Sequence, residues 1–296
     1  MGKILDRVAE GRVLVSDGAW GTFLHQKGLK VQECPESWNV EKPDHVLEIA
    51  KSYVDAGADV ILTNSFGGSP FKLDGYGLKE KTFELNRAAA EISKRAAGKK
   101  SLVLGSIGPT GKMVMMGEVP EEDLMEGFKV QVSGLVHGGV DGIVIETMSD
   151  LEEARIAIQA AKTTCELDVA CTFTFSRTQS GDYRTMMGTG IDEYLEMTRE
   201  AGADVIGANC GNGTAGMIEI VREIREINPD IPVLVHANAG LPVYRDGETV
   251  FPELPGEMAP QMKELVAAGA NIVGGCCGTT PEHIRLISQL LKGSPV

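Results

Sequence analysis

Six cysteines stand in this chain of 296 residues, and three of them sit in short glycine-rich phrases: Cys210 in GANCG and the adjacent pair Cys276 and Cys277 in GGCCG. Thiolates are soft ligands that select zinc over magnesium or calcium. Three protein thiolates with no fourth protein ligand match a catalytic zinc site, which keeps one position open, rather than a closed structural one. The flanking glycines let the backbone turn so that both members of the pair face one ion. A disulfide framework is the competing reading. Neighbouring cysteines are badly placed to bond to each other, and a long chain in a cytosolic context does not call for such a framework. Cys34, Cys165 and Cys171 are read as small buried hydrophobes.

Two cysteine phrases 66 residues apart can meet only if the fold brings them to one place. A recurring phrase shows how. AGADVILTN at 56–64, AGADVIGAN at 201–209 and AGANIVGGC at 268–276 repeat one another, and HGGVDGIVIET at 137–147 is a looser copy. Each closes a helical pattern and opens a short β-branched run, with Gly57, Gly202 and Gly269 where a helix end needs the left-handed conformation. The runs are apolar throughout, as in parallel strands buried on both faces. Eight strands are expected, at Val13–Ser16, Val60–Thr63, Leu102–Gly105, Gly142–Ile145, Val169–Thr172, Val205–Ala208, Val233–Val235 and Ile272–Gly274. Helices are expected between them, from His45–Asp55 to Pro281–Leu291, the last with Thr280 before Pro281 as its N-cap. An eightfold β/α alternation predicts a (β/α)8 TIM barrel, an α/β fold, occupying residues 1–296 as one domain; an open doubly wound sheet is the alternative. Gly240–Pro255 reads as one long functional loop.

Composition bounds the rest. Lys and Arg number 28 against 42 Asp and Glu, a formal charge of −14, which excludes a nucleic-acid backbone as partner because that needs a basic face. No apolar run approaches the ~20 residues that span a bilayer. The first residues, MGKILDRVAEGRVLV, carry charges where a signal peptide would be apolar, so a cytoplasmic protein is expected.

In a barrel of this kind the active site gathers at the C-terminal ends of the strands. Asp17 follows the first expected strand, Asn64 and Ser65 the second, Ser106 lies at the end of the third and Glu146 of the fourth. Asn209 and Cys210 follow the sixth, His236 and Asn238 the seventh, and Cys276 and Cys277 the eighth. The amide oxygen of Asn238 is a candidate for zinc's open position. His236 is read as an interior histidine outside the ligand set, and Trp20 and Trp38 as core or loop anchors that can also wall a donor site.

GANCG at 207–211 and GGCCGTTPEHI at 274–284 resemble the two zinc motifs of the homocysteine S-methyltransferases. DGAWGT, PESWN, TNSFGG, GSIGPTG, IETMSD, TMMG and NAGLP also match, in the family's order and over nearly the whole chain. That family includes the homocysteine module of cobalamin-dependent methionine synthase and the betaine–homocysteine methyltransferases. The resemblance implies a (β/α)8 barrel with Zn2+ on Cys210, Cys276 and Cys277, and methyl transfer to the thiolate of homocysteine to give methionine. It also implies that Asp17 and Glu146 receive the substrate ammonium. Asn64, Ser65 and the backbone near Gly105 and Ser106 are candidates for the carboxylate. With no folate- or cobalamin-type segment beside the barrel, the expected donor is a methylcobalamin or other methylcorrinoid carried by a partner protein. Betaine or S-methylmethionine is the alternative donor; an onium usually calls for an aromatic cage, and aromatic residues are only 5% here. A zinc-binding subunit that docks a corrinoid protein, or a methyltransferase for another thiol, is the reading from a different class.

Overall fold

The computed structural model describes residues 2–245 and 247–293; of the span expected for the domain, residues 1, 246 and 294–296 lie outside the described residues. Eight parallel strands form one sheet, β1 (Leu14–Val15), β2 (Val60–Leu62), β3 (Leu102–Ile107), β4 (Gly142–Met148), β5 (Asp168–Phe173), β6 (Val205–Gly213), β7 (Val233–Asn238) and β8 (Ile272–Gly275). Each pairs with its chain neighbours, β8 returns to β1, and a bridge between Ser16 and Val60 joins β1 to β2. The sheet is a barrel, as the repeat predicts.

The main helix after each strand packs outside it: α1 (Pro43–Asp55), α2 (Thr82–Ala97), α3 (Glu121–His137), α4 (Leu151–Thr164), α5 (Ile191–Ala201), α6 (Thr214–Ile227), α7 (Pro255–Ala267) and α8 (Pro281–Lys292). Gly57, Gly202 and Gly269 at the ends of α1, α5 and α7 have φ of 93°, 88° and 117°, a region where a side chain is strained. The expected N-cap of α8 is seen: the Thr280 N–H donates to His283 Nδ1 at 3.1 Å.

The repeated Asp of the AGAD phrase has a structural job. Asp59 Oδ2 accepts from the Val15 N–H at 2.9 Å, Asp141 Oδ2 from Val103 at 2.9 Å and Asp204 Oδ2 from Val169 at 2.8 Å. Asn271 Oδ1 does the same for Val233 at 2.9 Å. In return the N–H of each donates to the carbonyl of that same valine. A cation from a helix end completes each unit: Lys292 on Asp59, Lys94 on Asp141, Lys162 on Asp204 and Arg225 on Asn271, at 2.6 to 2.8 Å. Even-numbered strands thus clamp the odd-numbered strands before them, four times around the bottom of the barrel. Strand starts carry backbone donors that burial would leave orphaned; these three carboxylates and one amide satisfy them.

Side-chain alternation divides the barrel interior into layers. Leu14, Val60, Leu104, Val144, Leu234 and Ile272 form an apolar floor, plugged from below by Ile4 of the N-terminal helix Lys3–Ala9. Asp168 caps that helix by accepting from the Ile4 N–H at 2.8 Å. Two residues further along the strands the same inward face carries Ser16, Ser106, Glu146, Thr172 and His236, all buried. The floor is dry and the layer above it is polar.

The strands from β3 to β8 all run further than their apolar runs suggest. β6 continues to Gly213 and β7 to Asn238, with an irregular register between Asn209 and Gly213. The 240–255 loop is not wholly irregular either: Val243–Arg245 and Glu248–Val250 pair as a small antiparallel hairpin.

Candidate metal centre and substrate cavity

Cys210 lies in the irregular stretch of β6 with φ of 59°, a left-handed conformation uncommon for a side-chain-bearing residue. Cys276 and Cys277 lie immediately past β8. The Cys276 N–H donates to the Ala237 carbonyl at 2.7 Å, and the Cys277 carbonyl accepts from the Ala239 N–H at 3.0 Å, so β7 holds the pair in place. The turn they enter needs Gly275, where a Cβ would sit 2.3 Å from Thr279 Oγ1.

The three sulfurs lie within 4.8 Å of one another, with Cys210 and Cys277 3.9 Å apart. Zn–S bonds of about 2.3 Å at tetrahedral angles put two sulfurs about 3.8 Å apart, so the donor set fits zinc in type and spacing. Hydrogen bonds from Cys276 and Cys277 push the Cys210 thiol far below its ordinary value, and acting as its partners pushes Cys276 up. Cys277 is pushed up too, chiefly by its hydrogen bond with Cys210. Protein groups alone thus favour the thiolate at Cys210 over Cys276 and Cys277. Asn238 also helps to lower Cys210, and its Oδ1 is buried with no partner among the described residues.

Beside the sulfurs opens a cavity of about 290 Å³ lined by Cys210, Cys276, Cys277, Glu146, Trp20 and Phe66 among others. Glu146 Oε1 accepts from the Ser106 hydroxyl. Burial, with the nearby charges of Asp17 and Cys210, pushes its carboxyl up to about 7 against the pull of Ser106. Thr147, the next residue, is held at φ of 63°. Asn209 fixes it there, with Oδ1 accepting from the Thr147 N–H and Nδ2 donating to Thr147 Oγ1, both at 2.7 Å. Strained backbone at both Thr147 and Cys210 aims Glu146 and the sulfur at one space, the kind of strain that gathers at functional sites.

Asp17 is also buried and pushed up to about 7 by that burial, but it is not in the cavity wall. Its Oδ2 accepts from Trp20 Nε1 at 2.9 Å and the Leu62 N–H at 2.8 Å, tying β1 to β2. Asn64, Ser65 and Ser106 do line the cavity. Their donors are already engaged: Asn64 Nδ2 with the Pro35 carbonyl at 2.8 Å, Ser65 Oγ with the Ser106 carbonyl at 2.7 Å and Ser106 Oγ with Glu146. The Ser106 N–H donates to Thr63 Oγ1.

His236, set aside as an interior histidine, lines the cavity, and its Nε2 is buried without a partner among the described residues. Burial alone pushes it down to about 4, so the ring is neutral. Glu36 of PESWN is a wall residue that the sequence reading passed over. It accepts from the Gly67 N–H at 2.7 Å and pins the loop that carries Phe66. Trp38 is buried in the core.

The sequence model of the homocysteine S-methyltransferase family matches residues 14–291. The chain belongs to that family. The methionine synthase of Mycobacterium tuberculosis (strain ATCC 25618 / H37Rv) is 33% identical over 299 residues, covering 96% of this chain and 25% of that protein. That of Mycobacterium leprae (strain TN) is 32% identical over 303 residues with the same coverage. This homocysteine S-methyltransferase family member therefore spans about a quarter of the length of the curated relatives it matches. In fold it is similar to the metallated form of the homocysteine methyltransferase MmuM from Escherichia coli, with a TM-score of 0.78 at 22% identity, over 96% of this chain and 97% of that one.

Proposed function

We propose that this protein transfers a methyl group to the thiolate of homocysteine, forming methionine, with zinc held by Cys210, Cys276 and Cys277 and the methyl group brought by a methylcorrinoid on a separate protein. The observation that carries the reading is the convergence of three cysteine sulfurs within 4.8 Å at the rim of a cavity that Glu146 also lines. When bound, zinc supplies a Lewis acid that takes the substrate sulfur as thiolate at neutral pH. The three cysteinates leave the site with excess negative charge, which keeps that sulfur electron-rich. Asn238, whose Oδ1 is buried without a partner among the described residues, would offer the metal a fourth, weak ligand in the absence of substrate. Glu146 receives the ammonium, and Asp17 behind the wall adds negative potential. Asn64, Ser65 and Ser106 shape the wall that faces the carboxylate. By fixing the amino acid, these residues hold the sulfur in line with the incoming methyl, a positional effect worth several powers of ten.

Two features support a protein-borne donor. The loops after β3, β5 and β7 expose Met113, Met116, Met186, Leu241 and Tyr244 around the barrel mouth, an adaptable apolar rim. Among the described residues only Trp20 and Phe66 bring Trp, Tyr or Phe rings to the cavity wall, short of the cage an onium donor wants. The deciding experiment incubates the zinc-loaded protein with homocysteine and each donor. Methionine formed with a methylated corrinoid protein, and not with betaine or S-methylmethionine, is expected. Methionine formed equally well from an onium alone overturns the donor assignment, and no methionine from any donor overturns the substrate.

A further inference from the structure

We infer that His236 is a substrate-contact residue whose Nε2 hydrogen-bonds the amino-acid head group of the thiol substrate; the inference rests on the homocysteine reading of the cavity. Five buried side-chain atoms among the described residues lack a partner: Asn86 Oδ1, Gln131 Oε1, Thr214 Oγ1, His236 Nε2 and Asn238 Oδ1. Of these residues only His236 lines the cavity that opens on the sulfurs. A buried polar atom left unpaired is costly, so one that persists beside an open cavity marks a bond completed by what enters it.

The placement is built rather than incidental. His236 stands on the inward face of β7, two residues above the floor residue Leu234 and two below Asn238, in the layer that holds Glu146. Its register neighbours are Asn209 on β6 and Gly274 on β8. A Cβ at 274 would lie 3.0 Å from His236 Cδ2 and 2.8 Å from the Asp17 carbonyl, so the ring has its space because position 274 is glycine. It is not one of the cluster of sulfurs that could hold a metal. The side-chain donors of Asn64, Ser65 and Ser106 are all engaged within the protein, whereas Nε2 is not. The head group of an amino acid offers both an ammonium and a carboxylate, and either satisfies an imidazole nitrogen.

The test compares binding of homocysteine and of 1-propanethiol, which keeps the sulfur and lacks the head group, by calorimetry on zinc-loaded wild type, His236→Leu and His236→Gln. His236→Leu is expected to weaken homocysteine about ten- to a hundredfold while leaving 1-propanethiol and zinc content unchanged. His236→Gln, which keeps a hydrogen-bonding group, should recover most of the loss. In wild type the ¹⁵N signals of the His236 ring should move with homocysteine and stay with 1-propanethiol, a readout that needs no variant to fold. Equal effects on both thiols, or ring signals indifferent to homocysteine, overturn the contact and leave His236 a packing residue. A wild type that binds 1-propanethiol through zinc but shows no preference for homocysteine instead overturns the substrate reading itself.

Discussion

Ser106 donates its hydroxyl proton to Glu146 from the neighbouring strand, so the one carboxylate of β4 that faces the cavity arrives already oriented. One of its oxygens is thereby taken and the other is left for a ligand. Glu146→Gln should therefore weaken homocysteine far more than a thiol lacking the amino group. Losing a charge-assisted hydrogen bond costs about 1.5–3 kcal/mol, or roughly ten- to a hundredfold in affinity. Titration calorimetry with both thiols checks this; equal weakening assigns Glu146 to structure alone.

The same burial predicts a stability cost that depends on pH. The Glu146 carboxyl rises from its ordinary 4.5 to about 7, and Asp17 from 3.8 to about 7, in each case chiefly through burial. A carboxyl whose folded value is raised binds its proton more tightly when folded, so stability falls as pH climbs from about 4 to 7 and the cost is complete above that. Substrate-free Glu146→Gln should then melt above wild type at pH 8, with the advantage gone by about pH 4. A difference that is the same at both pH values would show that the charge is not what costs.

Asp141 predicts the opposite sign. Burial raises its carboxyl, but hydrogen bonds from Lys3, Lys94 and the Val103 N–H outweigh that and hold it below its ordinary value. Its contribution is present above the unfolded value of about 3.9 and is lost as the medium is acidified below it. Asp141→Ala orphans the Val103 N–H at the bottom of the barrel, far from the cavity, and should cost about 1–3 kcal/mol at neutral pH. Denaturant melts should show that loss with homocysteine affinity unchanged; an affinity change would mean that the bottom clamp reaches the site.

The clamp explains why the fold was so legible. The residues that cap the strands are the same ones that repeat in AGAD and AGAN, so a structural device is written out as a phrase at 56–59, 201–204 and 268–271. The cysteine phrases were legible for a similar reason, since ligands must follow strand ends. What could not be read locally was which polar groups are already engaged. Asn64 is tied to Pro35, Ser65 to Ser106 and Asp17 to Leu62, partners 29 to 45 residues away whose meeting depends on the closed barrel. Nor does a sequence say that His236 lacks a partner, because that is a property of everything packed around it. The left-handed backbone at Cys210 and Thr147 was equally silent, since neither is a glycine.

Replacing Cys210, Cys276 or Cys277 with alanine should strip the metal while leaving a barrel-like circular dichroism spectrum, because Cys210 lies in the irregular stretch of β6, the other two lie past β8, and none packs in the core clusters. Metal analysis of the purified variants checks this against about one zinc per wild-type chain. Full retention in all three variants would remove them as ligands.

The central claim is direct activation of the substrate thiol at these cysteines, and zinc K-edge X-ray absorption with and without homocysteine reads it most directly. Without substrate the expected sphere is three sulfurs and one light atom. At saturating homocysteine the light atom should be replaced by a fourth sulfur, with about one proton released per thiol bound. Loss of the light atom in Asn238→Ala assigns it to the amide oxygen; its persistence assigns it to water and leaves thiol activation intact. An unchanged sphere of three sulfurs and one light atom at saturating homocysteine would contradict the account.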